Sequence, residues 1–111
     1  MELQTEQLGP TTARVVCRGH FDMAAAPDFR RFVDEVVDAG NARVVVDLAD
    51  TSFIDSSGLG ALIAGLKRAR KAGGDLRIAR PPEQVRMVLT LTNLDRVLRP
   101  HEDVASATHD W

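Results

Sequence analysis

Apolar residues recur along this chain with two periods, and the switches between them mark out the elements. From Ala13 to Phe21 the period is two: Val15, Cys17 and Phe21 fall on one side, and Arg14, Arg18 and His20 on the other. That alternation predicts a strand with one wet face. From Ala24 to Ala39 the period becomes helical, with Phe29, Phe32, Val33, Val36 and Val37 on one face. Pro27 suits the first turn of this helix, Asp28 favours the dipole there, and Gly40-Asn41 closes it. Val44-Val45-Val46, closing through Asp47-Leu48, is short and β-branched, as expected of a strand buried on both faces. A polar turn, Ala49-Asp50-Thr51-Ser52, follows, and Phe53-Ile54 returns the chain to the core. Leu59, Leu62, Ile63 and Leu66 then predict a helix over about 57–72, capped by Asp55 or Ser56.

The flanking segments are weaker. Residues 2–8 read as an edge strand whose strongly apolar members are Leu3 and Leu8, and Gly9-Pro10-Thr11-Thr12 as a turn. Leu76-Arg77-Ile78-Ala79 predicts a short strand. Pro81-Pro82 opens a third helix with Val85, Val88 and Leu89 on its core side. Val97-Leu98 is a candidate last strand, and the polar segment 100–111 is expected to fray. The order β-β-α-β-α-β-α implies an α/β fold, with helices packed on a mixed, mostly parallel sheet of four to five strands. At 111 residues it is read as a single domain, with its core at about 8–99.

Composition narrows the chemistry. Hydrophobic residues make up 44% and charged residues 27%, an ordinary globular balance, and the net charge of −2 gives no support to nucleic-acid or membrane-surface binding. Aromatics at 5% are too sparse for a base-stacking platform. Cys17 has no disulfide partner and falls on the apolar face of its strand, which suits inert packing. With no charged-then-apolar leader and no run of bilayer length, the expectation is a cytoplasmic protein.

Phosphate-loop, dinucleotide and hydrolase-elbow spacings all fail, and His20, His101 and His109 form no metal spacing with the one cysteine. No cofactor or metal is expected. Ser56 with His20 as base is a weak nucleophilic pair, because nothing else suggests an oxyanion donor or a substrate pocket. Lys67-Arg68-Arg70-Lys71 closes a helix, where cations complement the dipole.

The stretch Asp55-Ser56-Ser57-Gly58-Leu59-Gly60 places two hydroxyls and a carboxylate at a helix N-terminus. Gly58 and Gly60 each lower helix propensity by about 1 kcal/mol. Two explanations stay open: a bare backbone for an approaching surface, or tight packing of the helix on the sheet. Asp47-Leu48 followed by Phe53-Ile54-Asp55-Ser56-Ser57-Gly58-Leu59-Gly60 resembles the STAS domains, specifically the bacterial anti-sigma factor antagonists. Gly19-His20-Phe21-Asp22 is similar to the segment before that family's first helix. Ala72-Gly73-Gly74-Asp75-Leu76 with Pro81 is similar to its later part. The likeness runs over roughly residues 8–99.

What the resemblance implies is a non-enzymatic partner switch. The unphosphorylated form binds an anti-sigma factor that is a serine kinase, and so frees a sigma factor. The kinase phosphorylates Ser56, and a PP2C-type phosphatase resets it. Asp22, Asp55, Ser56, Ser57, Gly58, Leu59 and Gly60 then lie at or beside the partner surface. Two rivals share the fold. One is an accessory subunit of a lipid-transport ATPase complex, in which Ser56 is only a cap; the other is a stressosome-like scaffold.

Overall fold

The computed structural model describes all of residues 1–111 as one α/β domain. Strand β1 (Glu2–Gln7) runs antiparallel to β2 (Thr12–Phe21), with Leu3 opposite Cys17. Helix α1 (Ala26–Asp38) crosses to β3 (Arg43–Asp47), which lies parallel to β2. Strand β4 (Thr51–Ile54) is also parallel to β2, further along it. Helix α2 (Ser56–Lys71) leads to β5 (Asp75–Ala79), parallel to β3. Helix α3 (Glu83–Leu91) and a 3₁₀ turn at Leu94–Arg96 precede β6 (Pro100–His101) and α4 (Val104–Thr108). The sheet order is β1-β2-β3-β5-β6, with β4 paired to β2 off this path.

The sheet has six strands where four or five were expected, and the additional ones have identifiable causes. The ten residues of β2 exceed what β3 can pair. After a register shift between Gly19 and His20, the remaining length takes β4 as its partner. The expected turn at 49–52 therefore shortens: Thr51 and Ser52 belong to β4, and the buried Thr51 hydroxyl donates to the Cys17 carbonyl at 2.9 Å. The candidate strand at Val97-Leu98 does not form. Leu98 instead closes the 3₁₀ turn, its N–H donating to Leu94 O at 2.7 Å, and its side chain enters the core. Pairing resumes at Pro100–His101, against Ile78 and Ala79.

Helices α1 and α2 cover one face of the sheet. Val15, Cys17, Val44, Val46, Leu76 and Ile78 from the strands meet Phe29, Val33, Leu62 and Leu66 there. The two helices are tied at their outer ends by Arg68, which reaches Asp34 at 3.2 Å and Asp38 at 2.6 Å. The basic cluster that closes α2 thus fastens α1 as well as meeting solvent. The C-terminal segment also departs from expectation, since residues 104–108 are helical. Ala107 packs on Val45 and Ala79 across the opposite face, joined by Val104 and Trp111, so β3 is covered on both sides. The Arg77 guanidinium sits 4.3 Å above the Trp111 ring.

Strand β3 ends on Asp47, only 1% exposed. Arg14 of β2 reaches one of its carboxylate oxygens at 2.6 Å, and Arg80, just past β5, contacts both oxygens at 3.1 and 2.5 Å. The Ala49 N–H adds a bond at 3.1 Å. Burial acts to raise this carboxyl, but the hydrogen bonds from Arg80, Ala49 N–H and Arg14 outweigh it and hold the group below the usual range. Cys17, fully buried, has its thiol pushed far up, first by burial and then by the Asp47 charge. It packs as an inert apolar side chain.

Candidate functional site

The Asp55-Ser56-Ser57 stretch sits where β4 turns into α2. Asp55 is extended (φ −117°, ψ −172°), and its carboxylate accepts from the Gly58 N–H at 2.9 Å. This settles the cap on Asp55 rather than Ser56 and places Ser56 and Ser57 in the first helical turn. The capping bond goes to the aspartate, which leaves the serine side chains uncommitted to it. Ser56 is exposed and Ser57 half-buried. Both line a shallow groove of about 470 Å³ with Met23, Ala26, Pro27, Arg30 and Gly60.

The two glycines divide the explanations left open by the sequence. A Cβ on Gly58 would fall far inside contact with the Phe21 carbonyl oxygen, 2.8 Å from Ile54 Cγ1 and 3.0 Å from Phe21 Cδ1. Gly58 is there because α2 presses against the end of β2. Gly60 faces outward, and a Cβ there would meet only Arg30 Nη2, at 3.7 Å. Gly60 bares the groove. Leu59 points into the core and is 4% exposed. Gly58 and Leu59 therefore support the site from beneath, while Ser56, Ser57 and Gly60 face the groove.

Asp22 follows the end of β2 and is turned to the head of α1; it is not among the residues lining the groove. Its carboxylate accepts from the N–H groups of Ala24 at 3.1 Å and Ala25 at 3.2 Å, and its carbonyl takes the Ala25 and Ala26 N–H groups. It shapes the entry to α1, whose own N-cap, Ala25, offers no side-chain acceptor. His20, exposed beside the loop, places its ring 5.8 Å from that of Phe53. No group of three or more His, Cys, Asp or Glu side chains gathers as metal ligands.

A family model described as the STAS domain matches residues 4–107. The chain belongs to the STAS domain family. Among relatives of this STAS domain is a candidate anti-sigma factor antagonist of Thermotoga maritima, 34% identical over 83 residues and covering 74% of each chain. The anti-sigma-B factor antagonist of Bacillus subtilis is 29% identical over 80 residues, covering 72% of each. A crystal structure of a Thermotoga maritima protein superimposes with a TM-score of 0.87 at 25% identity, over 97% of this chain and 92% of that one. SpoIIAA in its unphosphorylated form shares the fold, with a TM-score of 0.80 at 20% identity over 95% and 92% of the chains.

Three residues of this STAS domain's site went unnoticed in the sequence. Gln84, on α3, pairs with the main chain of Ile54: it accepts the Ile54 N–H at 2.9 Å and donates to the Ile54 carbonyl at 3.1 Å. It supplies the hydrogen bonds of the strand that is missing on that side of β4, and so fixes the residue before Asp55. Met23, 74% exposed, enters from the turn between β2 and α1, and Arg30 from α1 itself. No local pattern marks any of the three, since each is defined by what it meets across the fold. Replacing Gln84 by Ala is expected to destabilise the domain by about 1–2 kcal/mol, through the two lost bonds. Amide exchange should show the Ile54 N–H losing protection beyond that global change.

Proposed function

We propose that this STAS domain is an anti-sigma factor antagonist whose binding is switched at Ser56. In its unphosphorylated form it binds an anti-sigma factor serine kinase and so releases a sigma factor. The observation that carries the reading is an exposed serine held in the first turn of α2 by a neighbouring cap, within a chain whose relatives bear the antagonist name. Ser56 Oγ would take the γ-phosphoryl group of ATP, with ADP leaving and the hydroxyl proton passing to a base on the kinase. A PP2C-type phosphatase would reset the serine. The partner surface would be Asp22, Asp55, Ser56, Ser57 and Gly60, with Gly58 and Leu59 beneath it. No reaction is catalysed by the domain itself.

A phosphate brings about −1.5 to −2 charges. At a helix N-terminus the fold tolerates an anion, because free N–H groups and the dipole favour it. The switch then acts at the interface rather than by unfolding. A unit charge about 6 Å from a partner carboxylate, at an effective dielectric of about 20, is worth roughly 3 kcal/mol, or about a hundredfold in affinity.

The test is affinity capture from host lysate with Ser56→Ala and Ser56→Asp baits, followed by titration of the partner recovered. The Ala bait should retain an ATP-binding serine kinase, and the Asp bait should bind it about a hundredfold more weakly, with both baits melting alike. Retention of the same membrane-transporter subunits by both baits would instead support the accessory-subunit reading.

A further inference from the structure

The groove beside Ser56 contains one cation, and that cation has no carboxylate partner. Arg30 lies on the outer face of α1, and the intrahelical acid within its reach, Asp34 one turn on, is held by Arg68 at 3.2 Å. The other nearby acid, Asp28, is held by Arg31 at 2.5 Å. The guanidinium instead extends across the gap to α2, where Nη2 lies 3.7 Å from the position a Gly60 side chain would fill. Gly60 is four residues beyond Ser56 and so on the same helix face, about 6 Å away. Both serines, Gly60 and Arg30 line the same groove. A methyl at position 60 would rest against the guanidinium at ordinary contact distance, and a longer side chain would fill the groove beside it.

The geometry points to Arg30 as an intramolecular receptor for the phosphoryl group on Ser56. The inference rests on the phosphorylation reading above and adds what the modified serine binds. The guanidinium offers a planar fork of donors that matches two phosphate oxygens, and such a pair is among the stronger hydrogen bonds available to a protein. The free N–H groups of the first turn of α2 complete the acceptor site from the other side. Phosphorylation then does two things at once. It adds negative charge, and it removes from the surface a guanidinium that the unmodified protein holds ready for a partner carboxylate. The groups that set the field at the phosphate are Arg30 on α1, Asp55 at the head of α2 and Asp22 and His20 at the end of β2, while Gln84 on α3 is neutral. Of these side chains Arg30 carries the fixed positive charge that favours the dianion, alongside the free N–H groups of the first turn of α2.

The experiment installs phosphoserine directly at position 56, so that no kinase is needed, and follows the phosphorus resonance through a pH titration. The phosphate of the otherwise unchanged protein should lose its second proton at least about half a unit lower than that of Arg30→Gln, with Arg30→Lys between them. Arg30 is exposed and its truncation leaves the core intact, so circular dichroism of the variants should be unchanged. Equal titration of the native and Arg30→Gln phosphoproteins overturns the assignment. Binding is read separately. A phosphoprotein that shows the shift yet binds the kinase as tightly as the bare one refutes the switch and leaves the Arg30 contact standing.

Discussion

Gly58→Ala should destabilise the domain by about 3 kcal/mol or more, and Gly58→Val should leave it largely unfolded. The added Cβ would collide with the Phe21 carbonyl, an oxygen that already accepts the Asp55 N–H at 3.3 Å and is fixed in the main chain. Ile54 Cγ1, on the other side, is fully buried and has nowhere to go. Relief would require α2 to lift off the end of β2, opening the core at Leu59 and Leu62. Overpacking against flexible side chains typically costs about 1–3 kcal/mol, and a rigid backbone neighbour puts this site at the upper end or beyond. The gain in helix propensity from Gly to Ala, about 1 kcal/mol, does not offset it. Gly60→Ala is the matched control, since its Cβ has room and the propensity gain should appear as slightly raised stability. Urea unfolding of the two variants separates the effects.

Asp47→Ala should cost about 3 kcal/mol. The substitution removes the one anion on which Arg14 of β2 and Arg80, just past β5, converge, and it leaves their charges opposed at the end of β3. Both arginines are partly exposed and regain some hydration, which keeps the loss toward the lower end for a broken buried pair. The same pairing gives a pH dependence of defined sign. Because the folded state holds the Asp47 carboxyl below its unfolded value near 3.9, the ionised pair contributes its full stability above about pH 4. The contribution fades as pH falls through the depressed folded value. Asp47→Asn should therefore flatten this part of the acid limb of a stability–pH curve. An acid limb of unchanged slope in Asp47→Asn would show that other carboxylates govern it.

Elements with a strong period were legible in the sequence, and elements fixed by long-range pairing were not. Helix α1 announces itself through Phe29, Val33, Val36 and Val37, all buried, and β3 through its three valines. Strand β4 was read partly as a turn, because Thr51 and Ser52 are polar and Thr51 earns its place only by bonding to Cys17 O, 34 residues earlier. Segment 100–111 reads as a fraying polar tail, yet β6 pairs with β5, Arg77 holds Ala107 O and Asp110, and the buried Ala107 packs with Val104 and Trp111 to dock it. Within the site, the serines and their aspartate cap were visible as a motif. Gln84 and Arg30 were not, because a glutamine or an arginine on an exposed helix face carries no signal until the facing strand or groove is known. The two glycines, equivalent in the sequence, turned out to do different things, and only the position of the Phe21 carbonyl separates them.

The close seating of Gly58 also bears on how an enzyme could reach the neighbouring hydroxyl. Ser56 is bounded by a carboxylate cap on one side and by a helix pinned to the sheet two residues later, so the segment cannot be drawn out as an extended peptide without dismantling the core. An enzyme that acts on this serine has to accept a folded shape, reading α1 and α2 together. Its selectivity would lie in a surface assembled from distant parts of the chain, and a short synthetic peptide spanning 51–60 would carry the letters of the site without the site.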